Sequence, residues 1–117
     1  MNPLDCAELN FLLDREGALI AFQEKDQSWA GALVFSSETL AQRFVTVSRL
    51  DVAEVAAVAS DDRASIAALI AVMKKRPIRY LLLDLDYQTG ACRQVDFDGA
   101  TLGTVTPRQF TAAHQHG

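Results

Sequence analysis

Between Asp61 and Asp86 the chain carries a segment that admits few architectures: an amphipathic helix, a proline stop and a buried strand. Ile66, Leu69, Ile70 and Met73 fall at i, i+3, i+4 and i+7, which is one face of a helix. Asp61 and Asp62 stand at its positive N-terminal end, and Lys74, Lys75 and Arg76 at its negative C-terminal end, as the aligned peptide dipoles favour. Pro77 has no amide proton and disfavours helical geometry at Arg76, so the helix stops there and Ile78 to Leu85 enters a sheet. That run is almost wholly apolar, which suits a central strand covered on both faces.

The stretch Asp51 to Ala59 fits either a helical stripe of Val52, Val55 and Val58 or a buried strand. A strand near Ala53 to Val58 is the better reading, because it makes Ala53 to Leu85 a strand, helix, strand unit of about 30 residues, the length of a right-handed parallel crossover. Upstream, the apolar runs Leu9 to Asp14 and Ala18 to Gln23 flank the turn Asp14-Arg15-Glu16-Gly17 and read as a hairpin. Trp29 to Phe35 completes an antiparallel meander. Ser36 and Ser37 then switch the period, and Leu40, Phe44 and Val47 recur at helical spacing to about Arg49.

Downstream, Gln88-Thr89-Gly90 reverses the chain, Cys92 to Phe97 alternates as an antiparallel partner, and Asp98-Gly99 turns again. Thr106-Pro107-Arg108-Gln109 matches a capping box and predicts a short helix to about Ala113, followed by a flexible tail over 114–117. The expected fold is a single domain over 1–117 of the α+β class, an α/β two-layer arrangement. Its mixed sheet combines the N-terminal antiparallel meander with one parallel β-α-β crossover, covered by two main helices.

Two segments carry a family resemblance. In Ala32-Leu33-Val34-Phe35-Ser36-Ser37-Glu38 a strand runs straight into a helix, and in Leu81-Leu82-Leu83-Asp84 a later strand ends at an acidic turn. Over Ala18 to Gly90 this order resembles the small bacterial domains of the SseB N-terminal type. The resemblance implies an α/β sandwich domain with no established enzymatic activity, and it brings no site residues with it.

The net charge of −4 and pI near 5.0 argue against nucleic acid and against an anionic membrane surface as partners. The one dense basic run, Lys74-Lys75-Arg76 with Arg79 after it, reads as a response to the helix dipole. No apolar stretch approaches the roughly 20 residues that span a bilayer. Cys6 and Cys92 form no Cys-x-x-Cys pair, and Met1 to Asp5 lacks the cationic start of a secretory leader, so two reduced thiols in a cytosolic protein are expected, although a disulfide also fits the count.

Chemistry has few places to reside. No Gly-x-Ser-x-Gly, Walker-type or dinucleotide-binding glycine motif occurs. His114 and His116, the only histidines, lie in the tail, where a catalytic base lacks rigid placement. No catalytic residue is assigned. Asp84 and Asp86, two apart at a strand end, would present both carboxylates on one face as hard oxygen ligands for a divalent cation such as Mg²⁺. With Asp61 and Asp62 they imitate a phospho-acceptor receiver, but the number and spacing of the remaining elements do not support one, and N-capping is the better role for that pair. Trp29, beside a polar loop, is a candidate partner anchor. The leading expectation is a non-catalytic module that binds a protein partner or itself, with no cofactor. The alternative is a cation-dependent small-molecule binder or hydrolase acting through Asp84 and Asp86.

Overall fold

The computed structural model describes residues 8–23, 30–48, 51–98, 101–105 and 111–112. The elements in chain order are β1 (Glu8–Leu13), β2 (Ala21–Gln23), β3 (Ala30–Phe35), α1 (Glu38–Ser48), β4 (Glu54–Ala59), α2 (Arg63–Lys75), β5 (Ile78–Leu83), β6 (Cys92–Val95), β7 (Thr101–Val105) and β8 (Thr111–Ala112). The eight strands form one mixed sheet in the order β4-β1-β3-β5-β6-β7, with β2 pairing β3 and β8. Only the β3/β5 neighbours are parallel. The α+β class, the mixed sheet, its two main helices and the crossover through α2 agree with the sequence.

A second crossover, β3-α1-β4, accompanies the first. It carries the chain across the sheet one way, and β4-α2-β5 carries it back. Two crossovers of the same hand that travel in opposite directions must lie on opposite faces. The core divides accordingly. Leu9, Phe11, Val34, Leu81 and Leu83 pack with Met73 of α2, while Leu12, Leu33, Phe35 and Leu82 pack with Ala41 and Phe44 of α1. Strand alternation sorts these side chains, odd and even positions facing different helices.

The N-terminal runs are both antiparallel to β3, and they pair with each other only beside their turn, where the Ile20 amide donates to the Leu12 carbonyl and Leu13 bridges Leu19. β1 lies between β3 and β4, and β3 takes its edge at Asn10 and Phe11, so the pairing at Leu12 and Leu13 does not extend into β2 itself. Instead β1 and β2 follow one another along the same side of β3, β1 against Val34 and Phe35 and β2 against Ala30 to Ala32. The turn predicted at Asp14 to Gly17 is a looped-out excursion between them. The Asp14 Oδ1 accepts the amides of Glu16 and Ala18, and Gly17 supplies the positive φ of 79° that the turn requires. A single bridge, Leu13 to Leu19, closes it.

Helix termini follow the sequence closely. The Ser37 Oγ accepts the Leu40 amide at 3.2 Å and caps α1. Asp62 caps α2, its two carboxylate oxygens accepting the Ser65 amide at 3.2 Å and the Ser65 hydroxyl at 2.7 Å. These bonds, the hydroxyl's first, hold the Asp62 carboxyl below the usual carboxylate range. A lowered folded-state value means that the stabilisation is complete above the unfolded value and is lost as the pH falls through the folded one. Amide protection in the first turn of α2 should therefore weaken in that acid window, and Asp62→Asn should abolish this dependence. Hydrogen exchange followed by NMR across the window measures both.

Two further differences concern the C-terminal third. Thr101–Val105 is a strand paired antiparallel to β6, where no element was expected, because Leu102 and Gly103 give it no apolar alternation to read. The helix predicted from Thr106 to Ala113 is contradicted at its end, where Thr111 and Ala112 pair with Gln23 and Phe22 as β8. Thr106 to Gln109 and the tail over 114–117 lie outside the described residues.

Candidate functional site

The parallel strands β3 and β5 end side by side, and the chain leaves them in different ways. After Phe35 it enters α1, and after Leu83 it turns through Asp84 toward β6. A diverging pair of this kind opens a crevice at the carboxyl edge of an α/β sheet, the place where such sheets bind ligands. Here the crevice is a groove of about 560 Å³. Leu40, Arg43, Phe44 and Val47 of α1 form one wall, the Leu85 to Gln88 segment forms the other, and Phe35 and Asp84 lie at the base.

Asp84 closes the base. Its Oδ1 accepts the Ser36 amide at 2.8 Å and its Oδ2 accepts the Ser36 hydroxyl at 2.8 Å, tying the end of β5 to the end of β3. The Asp84 amide in turn donates to the Val34 carbonyl at 2.9 Å. To make these bonds Asp84 adopts a φ of 54°, the left-handed region, which aspartate tolerates better than most residues do. The strand geometry has therefore ended at Leu83, and the expectation that Asp84 and Asp86 share a strand face does not hold in that form. Asp86 instead accepts the Gln88 amide on its Oδ1 at 2.9 Å and donates its own amide to the Ala91 carbonyl at 2.9 Å, which shapes the turn into β6.

Both aspartates thus line the groove, but each organises backbone. A hard cation takes six or more oxygen ligands, several of them carboxylates. Asp84 and Asp86 are the carboxylates the groove offers, and among the described residues no group of three or more His, Cys, Asp or Glu side chains could hold a metal. Ahead of α1, the Ser36 amide already has the protein's own Asp84 carboxylate as its acceptor.

What the groove offers is apolar surface. Phe35, Phe44 and Tyr87 form a chain of rings from the core to the rim, with centroids 5.4 Å apart for the first pair and 6.0 Å for the second, the latter edge to face. Tyr87 is 53% exposed, Leu40 39% and Val47 45%. Of the five large apolar side chains that stand exposed among the described residues, these three share this groove. Arg43 is its one basic group.

The sequence contained a signal for this wall. Leu40, Ala41, Phe44, Val45 and Val47 spread over an arc of about 160° when placed at 100° per residue, wider than contact with one sheet face requires. The sheet takes one side of the arc, through Ala41 and Phe44 with Val45 half-buried, and leaves Leu40 and Val47 on the other. The stripe Leu40, Phe44, Val47 that marks the helix in the sequence thus lines the groove, with Phe44 also reaching the core. Arg43 and Tyr87 belong to no motif in the sequence.

The remaining candidates lie elsewhere. Trp29 falls outside the described residues. In the basic run Lys74, Lys75 and Arg79 are exposed, Arg76 is half-buried and donates to the Leu19 carbonyl at 2.8 Å, and Arg79 donates to the carbonyls of Arg76 and Ile78. Burial pushes the Arg76 guanidinium below its ordinary value, opposed by the charge of Asp14. No helix among the described residues is long and apolar enough to cross a membrane. Comparisons with protein-family models, curated proteins and solved structures give no match to this chain.

Proposed function

We propose that the protein is a non-catalytic interaction module that receives an apolar segment of a protein partner in the groove between α1 and the Leu85 to Gln88 segment. The observation that carries this reading is the gathering of Leu40, Val47 and Tyr87 around one concavity whose carboxylates are already committed to internal hydrogen bonds. The fitting partner is an amphipathic helix or strand with spaced apolar side chains and an acidic group placed to meet Arg43. In this reading the protein works in the bacterial cytosol, as an SseB-type domain would, and uses no cofactor.

A photo-crosslinking amino acid at position 47 should capture a partner in cells, whereas the same group at position 72 should not. Val72 is 48% exposed, so exposure alone does not separate the two sites. Equal capture at both positions, or none at 47, would remove the support for the groove. Val47→Glu should change the free energy of unfolding by less than about 0.5 kcal/mol, because the side chain already meets solvent. Chemical denaturation checks this.

A further inference from the structure

We infer that the free edge of β4 pairs with the β4 edge of a second copy of this chain, giving a two-fold dimer with one continuous sheet. The sheet order ends at β4, and among the described residues nothing hydrogen-bonds to its outer side. A strand edge in that position presents a row of unused backbone donors and acceptors, and monomeric proteins blunt such edges with lysine, proline, bulges or short length. The other ends of this sheet are blunted. β7 pairs with β6 across a register shift, and its Gly103 has a φ of 148°, while β8 is two residues long. β4 has none of these guards. It runs six residues, Glu-Val-Ala-Ala-Val-Ala, in unbroken register from Leu13↔Glu54 to Glu8↔Ala59, without proline, lysine or arginine.

The edge suits itself as a partner better than it suits another strand orientation. A two-fold axis perpendicular to the sheet makes the pairing antiparallel and keeps each face continuous, α1 side with α1 side. Side chains that oppose each other must then share a face, so the axis passes through a residue, and the registers with the longest overlap centre on Ala56 or Ala57. In either register the two Glu54 carboxylates, the only charges within the strand, lie at opposite ends of the ribbon. A parallel pairing would set them side by side in an already acidic protein. The exposed Ala57 and Ala59 add no bulk to obstruct close approach. This pairing is independent of the groove, which β4 does not line.

Sedimentation velocity on the full chain is expected to show a concentration-dependent dimer. Ala57→Lys/Ala59→Lys should weaken dimerisation about tenfold or more, by placing the lysine charges at position 57 of the two copies opposite one another in the Ala57 register or diagonal to one another in the Ala56 register, with the circular dichroism spectrum unchanged. Val47→Glu should leave the dimer intact, which separates this edge from the groove. In a Cys6→Ser background, single cysteines at positions 55 to 58 should give one maximum of oxidative crosslinking, at Ala56→Cys or Ala57→Cys, where the axis brings a residue against itself. A monomer at every soluble concentration, or a dimer that ignores the lysines and shows no crosslinking maximum on β4, would overturn the inference. The crosslinking scan decides the matter if the lysine variant fails to fold.

Discussion

Gly31→Ala is expected to lower the thermal unfolding midpoint by roughly 5–15 °C, the consequence of about 1–3 kcal/mol of overpacking in a domain of this size. The reason is a close approach in the middle of the sheet. A Cβ on Gly31 would lie 2.6 Å from Leu82 Cγ and 2.6 Å from Tyr80 Cε2, distances that real Cβ atoms do not sustain. β3 cannot retreat, because β1 and β2 hold it on one side and β5 on the other. The sheet already adjusts here, with a register shift between Ala30 and Gly31 that sets Tyr80 opposite the glycine. Tyr80 is buried and cannot swing clear at low cost. Gly31→Val should leave the protein largely unfolded at growth temperature. Tyr80→Leu combined with Gly31→Ala should recover part of the loss, and strict additivity of the two changes in a denaturation cycle would place the clash elsewhere.

Asp84→Ala should be the costliest change at the groove, about 2–4 kcal/mol by chemical denaturation. The variant loses two hydrogen bonds to a charged acceptor, leaves the Ser36 amide without its partner and puts alanine at a positive φ. Three substitutions separate these contributions. Asp84→Gly removes the conformational penalty but not the lost bonds, Asp84→Asn keeps one acceptor oxygen and the tolerance of the left-handed region, and Asp84→Ala loses both. Stability should fall in the order wild type, Asn, Gly, Ala. Because Asp84 fastens the base of one groove wall, amide exchange through Leu85 to Gly90 should quicken in all three. If Asp84 served a divalent cation instead, these metal-free stabilities would differ little, and titration calorimetry with Mg²⁺ would show heat in the wild type that Asp84→Asn abolishes.

Much of the fold was legible because local signals agreed with one another. The α2 stripe, its Asp62 cap, the Pro77 stop and the apolar β5 all point to one crossover, and each is local in sequence. The β1/β2 hairpin stops short for a non-local reason: the Asp14 to Gly17 turn and the Leu13–Leu19 bridge follow the local signal, but β3, some twenty positions later, takes the edge of β1 at Asn10 and Phe11 that a longer hairpin would need. β7 was missed because its strand character comes from pairing with β6 and not from its own alternation. At the site, the importance of Asp84 could be read from its place at a strand end. Its role could not, since the partner that fixes it, Ser36, is 48 residues away. The groove was least visible, because whether Leu40 and Val47 face the sheet or solvent depends on how α1 rolls on it, and sequence period alone does not set that angle.

The most direct test of the groove is a selection from a random amphipathic peptide library against the folded 117-residue chain, with affinities of the enriched peptides then measured on variants. The expected peptides carry spaced apolar residues and an acidic side chain. Their affinity should fall more than tenfold on Val47→Glu and Arg43→Glu while staying unchanged on Val72→Glu, as expected when a central contact of about 1.4 kcal/mol or more is removed. Peptides whose affinity is indifferent to Val47 and Arg43, or a selection that enriches nothing, would contradict the account.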